Sequence, residues 1–154
     1  MKIAKGFTLI ETLVAISLVV TLSAAGLYGW RSWQQQQQLW QTARQVRDYL
    51  VMLRNDAWRN NRDHRVVLGQ RGQQWCLRRE QAVACQQHDP WVLIPLWPAI
   101  SVKAITPGLG FYGLRDTAWA GRIYLQSPAG EWLVIVSSWG RIRMCSAKGE
   151  FACR

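Results

Sequence analysis

The sequence predicts an α+β protein: a long N-terminal helix, with an apolar first half fit to lie in a membrane, packed on a C-terminal antiparallel β-sheet domain. Three observations predict this. Residues 12–30 carry no charge. Apolar residues then recur at Leu39, Ala43, Val46, Leu50, Leu53 and Ala57, in steps of three and four that only a helix brings onto one face. From residue 62 onward short β-like runs alternate with Gly, Pro and polar turns.

The N-terminal element opens with a short basic stretch, Met1-Lys2-Ile3-Ala4-Lys5-Gly6, which runs into Phe7-Thr8-Leu9-Ile10-Glu11. The 19 uncharged residues that follow Glu11 would span about 28 Å as a helix, roughly one hydrocarbon core. Glu11 itself is anomalous. An ionised carboxylate in hydrocarbon costs roughly 2.5–3.5 kcal/mol on insertion scales, so it calls for a partner. A secretory signal peptide has a similar basic start, and the small residues near Ala24, Ala25 and Gly26 would suit its cleavage. Its apolar region is normally uncharged and short, however, whereas here a carboxylate interrupts the run and apolar sequence continues to Tyr28 and Trp30. A plain transmembrane anchor explains the hydrophobicity but gives Gly6 and Glu11 no role.

Past the apolar run, Trp30 and Trp33 sit where an amphipathic indole favours the membrane boundary. The glutamines at 34–38 resemble a linker, yet the helical stripe resumes at Leu39. The simplest account is one helix from about Phe7 to about Arg59, roughly 80 Å long, with Asn60 and Asn61 ending it. Candidate strands follow at 65–68, 74–78, 82–85, 91–94, 101–105, 121–125, 132–137 and 141–145, and an irregular loop covers most of 95–110. The clearest part is the C-terminal meander, where Ser127-Pro128-Ala129-Gly130 and Ser138-Trp139-Gly140 turn the chain between apolar strands. Among the ten tryptophans, Trp40, Trp58, Trp75, Trp91, Trp132 and Trp139 lie on or near these elements, and most are expected in the core of so small a domain.

Cys76, Cys85, Cys145 and Cys153 fall into two close pairs outside the apolar run. Of the three connectivities four cysteines allow, the spacing suits the two local disulfides, 76 to 85 and 145 to 153, of an oxidising compartment. Zinc is the rival reading, but there is no C-x-x-C and the only histidines are His64 and His88, so no metal site is expected. Both histidines stand in polar contexts that suit solvated side chains. No Ser/His/Asp set, phosphate loop or carboxylate pair can be placed, which argues against an enzyme and gives no cofactor. The formal charge of +10 is carried mostly by arginine. Such a balance speaks to association with nucleic acid or anionic lipid, not to fold.

Lys5-Gly6-Phe7-Thr8-Leu9-Ile10-Glu11 resembles the class III leader junction of type IV prepilins and type II secretion pseudopilins. That resemblance implies cleavage by a prepilin peptidase between Gly6 and Phe7, N-methylation of the new Phe7 amine, and a pairing of Glu11 with the amine of a neighbouring subunit in a filament. It implies a domain order of leader peptide at 1–6, transmembrane and filament-core helix at 7–30, amphipathic continuation at 31–61 and periplasmic β-rich domain at 62–154. It also implies a single pass through the inner membrane, with an assembly platform and other minor and major pilins as partners.

A second resemblance covers roughly residues 40–145. Gly110-Phe111, the strands at 121–125 and 132–137, and Gly140-Arg141-Ile142-Arg143 are similar to the globular domain of GspH/FimT-type minor pilins and pseudopilins. The size and cysteines also resemble the prepilin-peptidase-dependent protein A group. The implied role is a minor pilin that initiates or tip-caps a type IV pilus. The alternatives are a DNA-binding minor pilin of an uptake pilus and a minor pseudopilin of a type II secretion system. Some FimT-type proteins bind DNA through a Gly-Arg-x-Arg motif, which Gly140, Arg141 and Arg143 match. In a strand the two arginines would share a face beside Trp139 and near Arg154, where an aromatic and paired guanidiniums suit phosphate and base. The plainer reading of the same arginines is a solvated edge that resists strand pairing.

Overall fold

A computed structural model describes residues 8–147 and Cys153. Among the described residues it shows helix α1 (Leu9–Asn60) followed by nine strands: β1 (His64–Arg71), β2 (Gln74–Arg79), β3 (Val92–Leu93), β4 (Ser101–Ile105), β5 (Gly110–Tyr112), β6 (Thr117–Trp119), β7 (Gly121–Ser127), β8 (Gly130–Val136) and β9 (Ile142–Ser146). The protein is α+β, and every strand pairing is antiparallel. The chain divides into two units, Met1–Gln34 and Gln35–Arg154.

In the first unit α1 starts at Thr8, whose carbonyl accepts the amides of Glu11 at 3.0 Å and Thr12 at 3.2 Å. Ten large apolar side chains, Leu9 to Leu27, are exposed, and the best 18-residue window has a mean hydropathy of 2.0. The helix is therefore long and apolar enough to cross a membrane. Three of its hydroxyls are satisfied from within: Thr12, Ser17 and Thr21 donate to the carbonyls of Leu9, Val14 and Ser17/Leu18. Back-bonding of this kind removes the cost of an unpaired hydroxyl in an apolar surrounding.

In the second unit the expected stripe, Leu39, Ala43, Val46, Leu50, Leu53 and Ala57, is buried throughout. It meets Val66, Leu77 and Phe111 from a five-stranded sheet ordered β3-β2-β1-β5-β6, and Ile123, Leu125, Val134 and Val136 from a four-stranded sheet ordered β4-β7-β8-β9. Two sheets thus share one helix face, where the alternation of apolar residues in each strand is matched by the 3.6-residue period of the helix. Burying six such side chains contributes on the order of 10 kcal/mol before conformational entropy is set against it.

The helix ends as Asn60 and Asn61 suggested. Asn61 takes a left-handed φ of 49°, and the amide of Arg62 bonds back to the Ala57 carbonyl at 3.1 Å, the long-range bond of a Schellman-type terminus. Gly113 packs on this terminus so closely that a Cβ would stand 2.4 Å from the Ala57 carbonyl oxygen and 2.6 Å from the Arg62 nitrogen.

Three expectations need correction. Residues 82–85 form no strand: Ala82 closes a turn on the Arg79 carbonyl and Cys85 reaches back to Cys76, so the disulfide loop takes the place of a ladder. Strands β5 and β6 escaped notice because each is three residues long, too short to show a period, and they are joined by a turn in which Asp116 has φ 48°. Only five tryptophans pack on the core, Trp58, Trp75, Trp91, Trp97 and Trp132. Trp139 is 81% exposed, because it occupies the tip of the β8–β9 turn.

Replacing Gly113 by Ala forces backbone against backbone at the helix terminus. Thermal unfolding of the full-length chain by circular dichroism should show a loss of roughly 1–3 kcal/mol; an unchanged melting temperature would show that the terminus can shift to make room.

Candidate functional site

Glu11 lies in the first turn of α1 and is exposed. Counting from the cap, Thr8-Leu9-Ile10-Glu11 has the Thr-x-x-Glu spacing of a capping box. Its carboxylate also stands at the positive end of the helix dipole, worth about 0.3–1 kcal/mol at an exposed site. That local role was overlooked in the sequence, although the spacing was there to read. Gly6 and Phe7 lie outside the described residues, as does Arg154.

The segment Gly140-Arg141-Ile142-Arg143 is built by the turn between β8 and β9. The Gly140 amide donates to the Ser137 carbonyl at 2.9 Å, and the Arg141 amide donates to the Ser137 hydroxyl at 3.1 Å. Gly140 has φ 70°, a conformation that suits glycine. A Cβ there would lie 2.6 Å from the Trp58 ring. From the helix, Arg54 donates to the Gly140 carbonyl at 3.1 Å while its guanidinium stacks 5.2 Å over Trp58. The glycine of the motif is thus a structural seat for the helix.

The two arginines are both exposed. Arg141 precedes β9, and Arg143 sits within it, directly opposite Ile135 of β8. Ile135 in turn faces Arg122 of β7, also exposed. The row Arg143, Ile135, Arg122 therefore crosses three strands of one sheet face, two strand spacings or roughly 10 Å from guanidinium-bearing strand to strand. Arg122 was missed in the sequence; pairing the meander in register would have found it, because opposite residues project to the same face.

His64 is a correction. It is 1% exposed, since it opens β1 beneath the helix: Nε2 lies 2.5 Å from the Asp56 carboxylate and the ring stacks on Trp91 at 5.2 Å. Arg79 covers Trp91, its guanidinium 4.8 Å from the ring centroid, and the Tyr49 hydroxyl donates to the Trp91 carbonyl at 2.8 Å. Burial, with the charge of Asp89 adding to it and Arg79 opposing, pushes the Tyr49 phenol well up, so it remains a donor. Burial would also raise the Asp56 carboxyl, but hydrogen bonds from His64 and Asn60 and the charges of His64 and Arg62 outweigh it and hold the group below its ordinary value. The polar flanks of His64 in sequence hid a buried histidine hydrogen-bonded to a carboxylate. His88 is exposed.

The cysteines pair as Cys76 with Cys85 and Cys145 with Cys153, with Cα separations of 6.3 and 5.2 Å. The first bridge rests on Gly69, where a Cβ would meet the sulfurs of Cys85 and Cys76 at 2.7 and 2.9 Å. Among the described residues no three His, Cys, Asp or Glu side chains gather as metal ligands.

Residues 1–27 match the family model described as the prokaryotic N-terminal methylation motif. The match is consistent with a type IV prepilin or pseudopilin leader, and it supports a pilin-like or pseudopilin protein. No curated protein and no solved structure is significantly similar to the chain.

Because the folded Asp56 carboxyl lies below its unfolded value of about 3.9, it contributes stability that is fully present above that pH and is lost as pH falls through the folded value. Asp56→Asn should therefore destabilise the full-length chain by about 1–3 kcal/mol at pH 7 and by much less under strongly acidic conditions. Urea unfolding of both proteins across that range measures the difference; a gap that does not narrow with acid would refute the pairing.

Proposed function

We propose that the chain is a minor type IV pilin-like subunit, without enzymatic activity, that takes part in initiating or tip-capping a pilus. The observation that carries this reading is the methylation motif over residues 1–27, continuous with a helix whose large apolar side chains from Leu9 to Leu27 are exposed among the described residues. An exposed apolar helix needs lipid before assembly and other apolar helices after it. In this reading a prepilin peptidase cuts after Gly6, and Phe7 becomes the N-methylated terminus. Residues 7–30 hold the protein in the inner membrane and then enter the filament core. Residues 31–61 continue the helix, and 62–154 form the periplasmic domain. The cysteine pairing supports that address, because disulfides persist in oxidising compartments.

Glu11 is the assembly residue. In a filament core its carboxylate meets the Phe7 ammonium of a neighbouring pilin, and breaking such a buried pair by removing one partner costs about 3–5 kcal/mol. A minor pseudopilin of a type II secretion system would use the same device, and genes for a secretin or a major pilin beside this one would separate the two machines. Mass spectrometry of the mature protein from cells with active prepilin peptidase should give a chain beginning at methylated Phe7; any other terminus overturns the processing. Glu11→Ala should leave membrane insertion intact and remove the subunit from sheared filaments, while normal incorporation would rule out the charge pair.

A second reading, a DNA-binding minor pilin, is favoured by one observation: Arg141 and Arg143 are exposed, and Arg122 extends them across the sheet. Phosphate contacts by these guanidiniums would make binding weaken steeply with salt. Mobility-shift titrations of the full-length protein at two salt concentrations should show DNA binding that falls with salt and is lost in Arg141→Ala/Arg143→Ala. Binding that ignores the double substitution would eliminate the motif.

A further inference from the structure

A pocket of about 380 Å³ lies in the second unit where the chain leaves the helix, among residues 61–64, the end of β2 and Leu114. We propose that it binds a tetrahedral oxyanion, phosphate or a phosphate monoester, through Arg62, Arg79 and the buried His64 ring. The site uses none of the residues that carry the pilin reading or the DNA reading. Its volume lies at the lower end of the roughly 300–1,000 Å³ that small-ligand sites occupy, which suits a phosphate group with a small substituent.

The fold leaves these three side chains with polar atoms to satisfy. Nε2 of His64 is engaged by Asp56, while its Nδ1 is buried and has no hydrogen-bond partner among the described residues. Arg79 is in a similar state. Its guanidinium lies 4.8 Å from the centre of the Trp91 ring, and its Nε is buried without a hydrogen-bond partner among the described residues. Arg62 is exposed, and no hydrogen bond or ion pair holds its side chain among the described residues. The acids nearby have other partners: Glu80 pairs with Arg65 at 3.7 Å, Asp56 with His64, and Asp63 accepts the Gly113 amide at 3.2 Å. Among the described residues that line the pocket, two guanidiniums therefore stand against one carboxylate, Asp63.

That set selects phosphate over a carboxylate. Arg62 and Arg79 come from different elements, and a planar carboxylate has only two oxygens to divide between two guanidinium forks and an imidazole. A phosphate monoester has three strong acceptor oxygens and forms bidentate bonds with arginine. It also answers either form of the histidine. A protonated ring donates from Nδ1 to a phosphate oxygen, and a neutral ring with its proton on Nε2 accepts from the hydroxyl of a singly protonated phosphate. Both arginines are held by the backbone: the Arg62 amide is bound to the Ala57 carbonyl at 3.1 Å, and Arg79 pairs with Val66 in the β1–β2 ladder. A site whose frame does not have to be ordered on binding loses less entropy to its ligand.

The test uses the full-length protein in a phosphate-free, non-ionic detergent at low salt. Isothermal titration calorimetry with inorganic phosphate should show saturable binding with a Kd on the order of millimolar or tighter, and acetate should bind at least about tenfold more weakly. Arg62→Ala, which removes an exposed side chain, should weaken phosphate binding at least about tenfold. Arg79→Lys, which keeps the charge and removes Nε, should weaken it as well, and circular dichroism melting checks that both variants are folded. Arg71→Ala, at the far end of β1, should bind as the parent does. Methyl phosphate that binds as tightly as inorganic phosphate assigns the site to a phosphorylated partner, whereas markedly weaker binding assigns it to the free ion. No saturable phosphate binding, acetate binding equal to phosphate, or a loss in Arg62→Ala no larger than in Arg71→Ala would overturn the site.

Discussion

The β-rich unit depends on one constraint: a single helix face must close the core of two sheets at once. Leu39 through Ala57 supply that face, with no exposed residue among its six stripe positions. Ala43 and Ala57 are the small residues of the stripe, and Leu39, Val46, Leu50 and Leu53 fill the rest of the shared core. Each sheet alone would leave its inner apolar face open to water. The helix is therefore the shared wall that makes two modest sheets one core.

That shared wall dictates where the chain must turn tightly. At the C-terminal end of the helix, Asn61 reverses the backbone and Gly113 presses on the last turn without a side chain. One turn earlier, Arg54 and Trp58 receive Gly140. A motif that in sequence looks like a ligand-binding signature thus contains one residue whose place is explained by packing, and two whose exposed guanidiniums leave the core nothing to explain. The same separation applies to Glu11. Its position is compatible with a helix cap, yet the exposed apolar side chains around it ask for cover from outside the chain.

Charge is distributed along the same division. The buried His64 ring stacks on Trp91 and shares a hydrogen bond with the part-exposed Asp56 carboxylate, since a polar group buried at low dielectric needs a partner. Most arginines stay at the surface; one face of the four-stranded sheet carries Arg122 and Arg143, and the exposed Arg141 directly precedes β9.

By itself the sequence determined the α+β class, the apolar half of the helix, the buried stripe, the helix end at Asn60 and Asn61, and the N-terminal motif. All of these are local: a period, a charge in an apolar run or a residue type at a terminus is written within a few consecutive positions. Tertiary structure alone decided that two sheets share the helix, that three-residue strands β5 and β6 join the first of them, that His64 is buried against Asp56, and that Arg122 lies level with Arg143. These depend on which strands pair and in what register, and pairing is set by long-range burial, which no short window of residues contains.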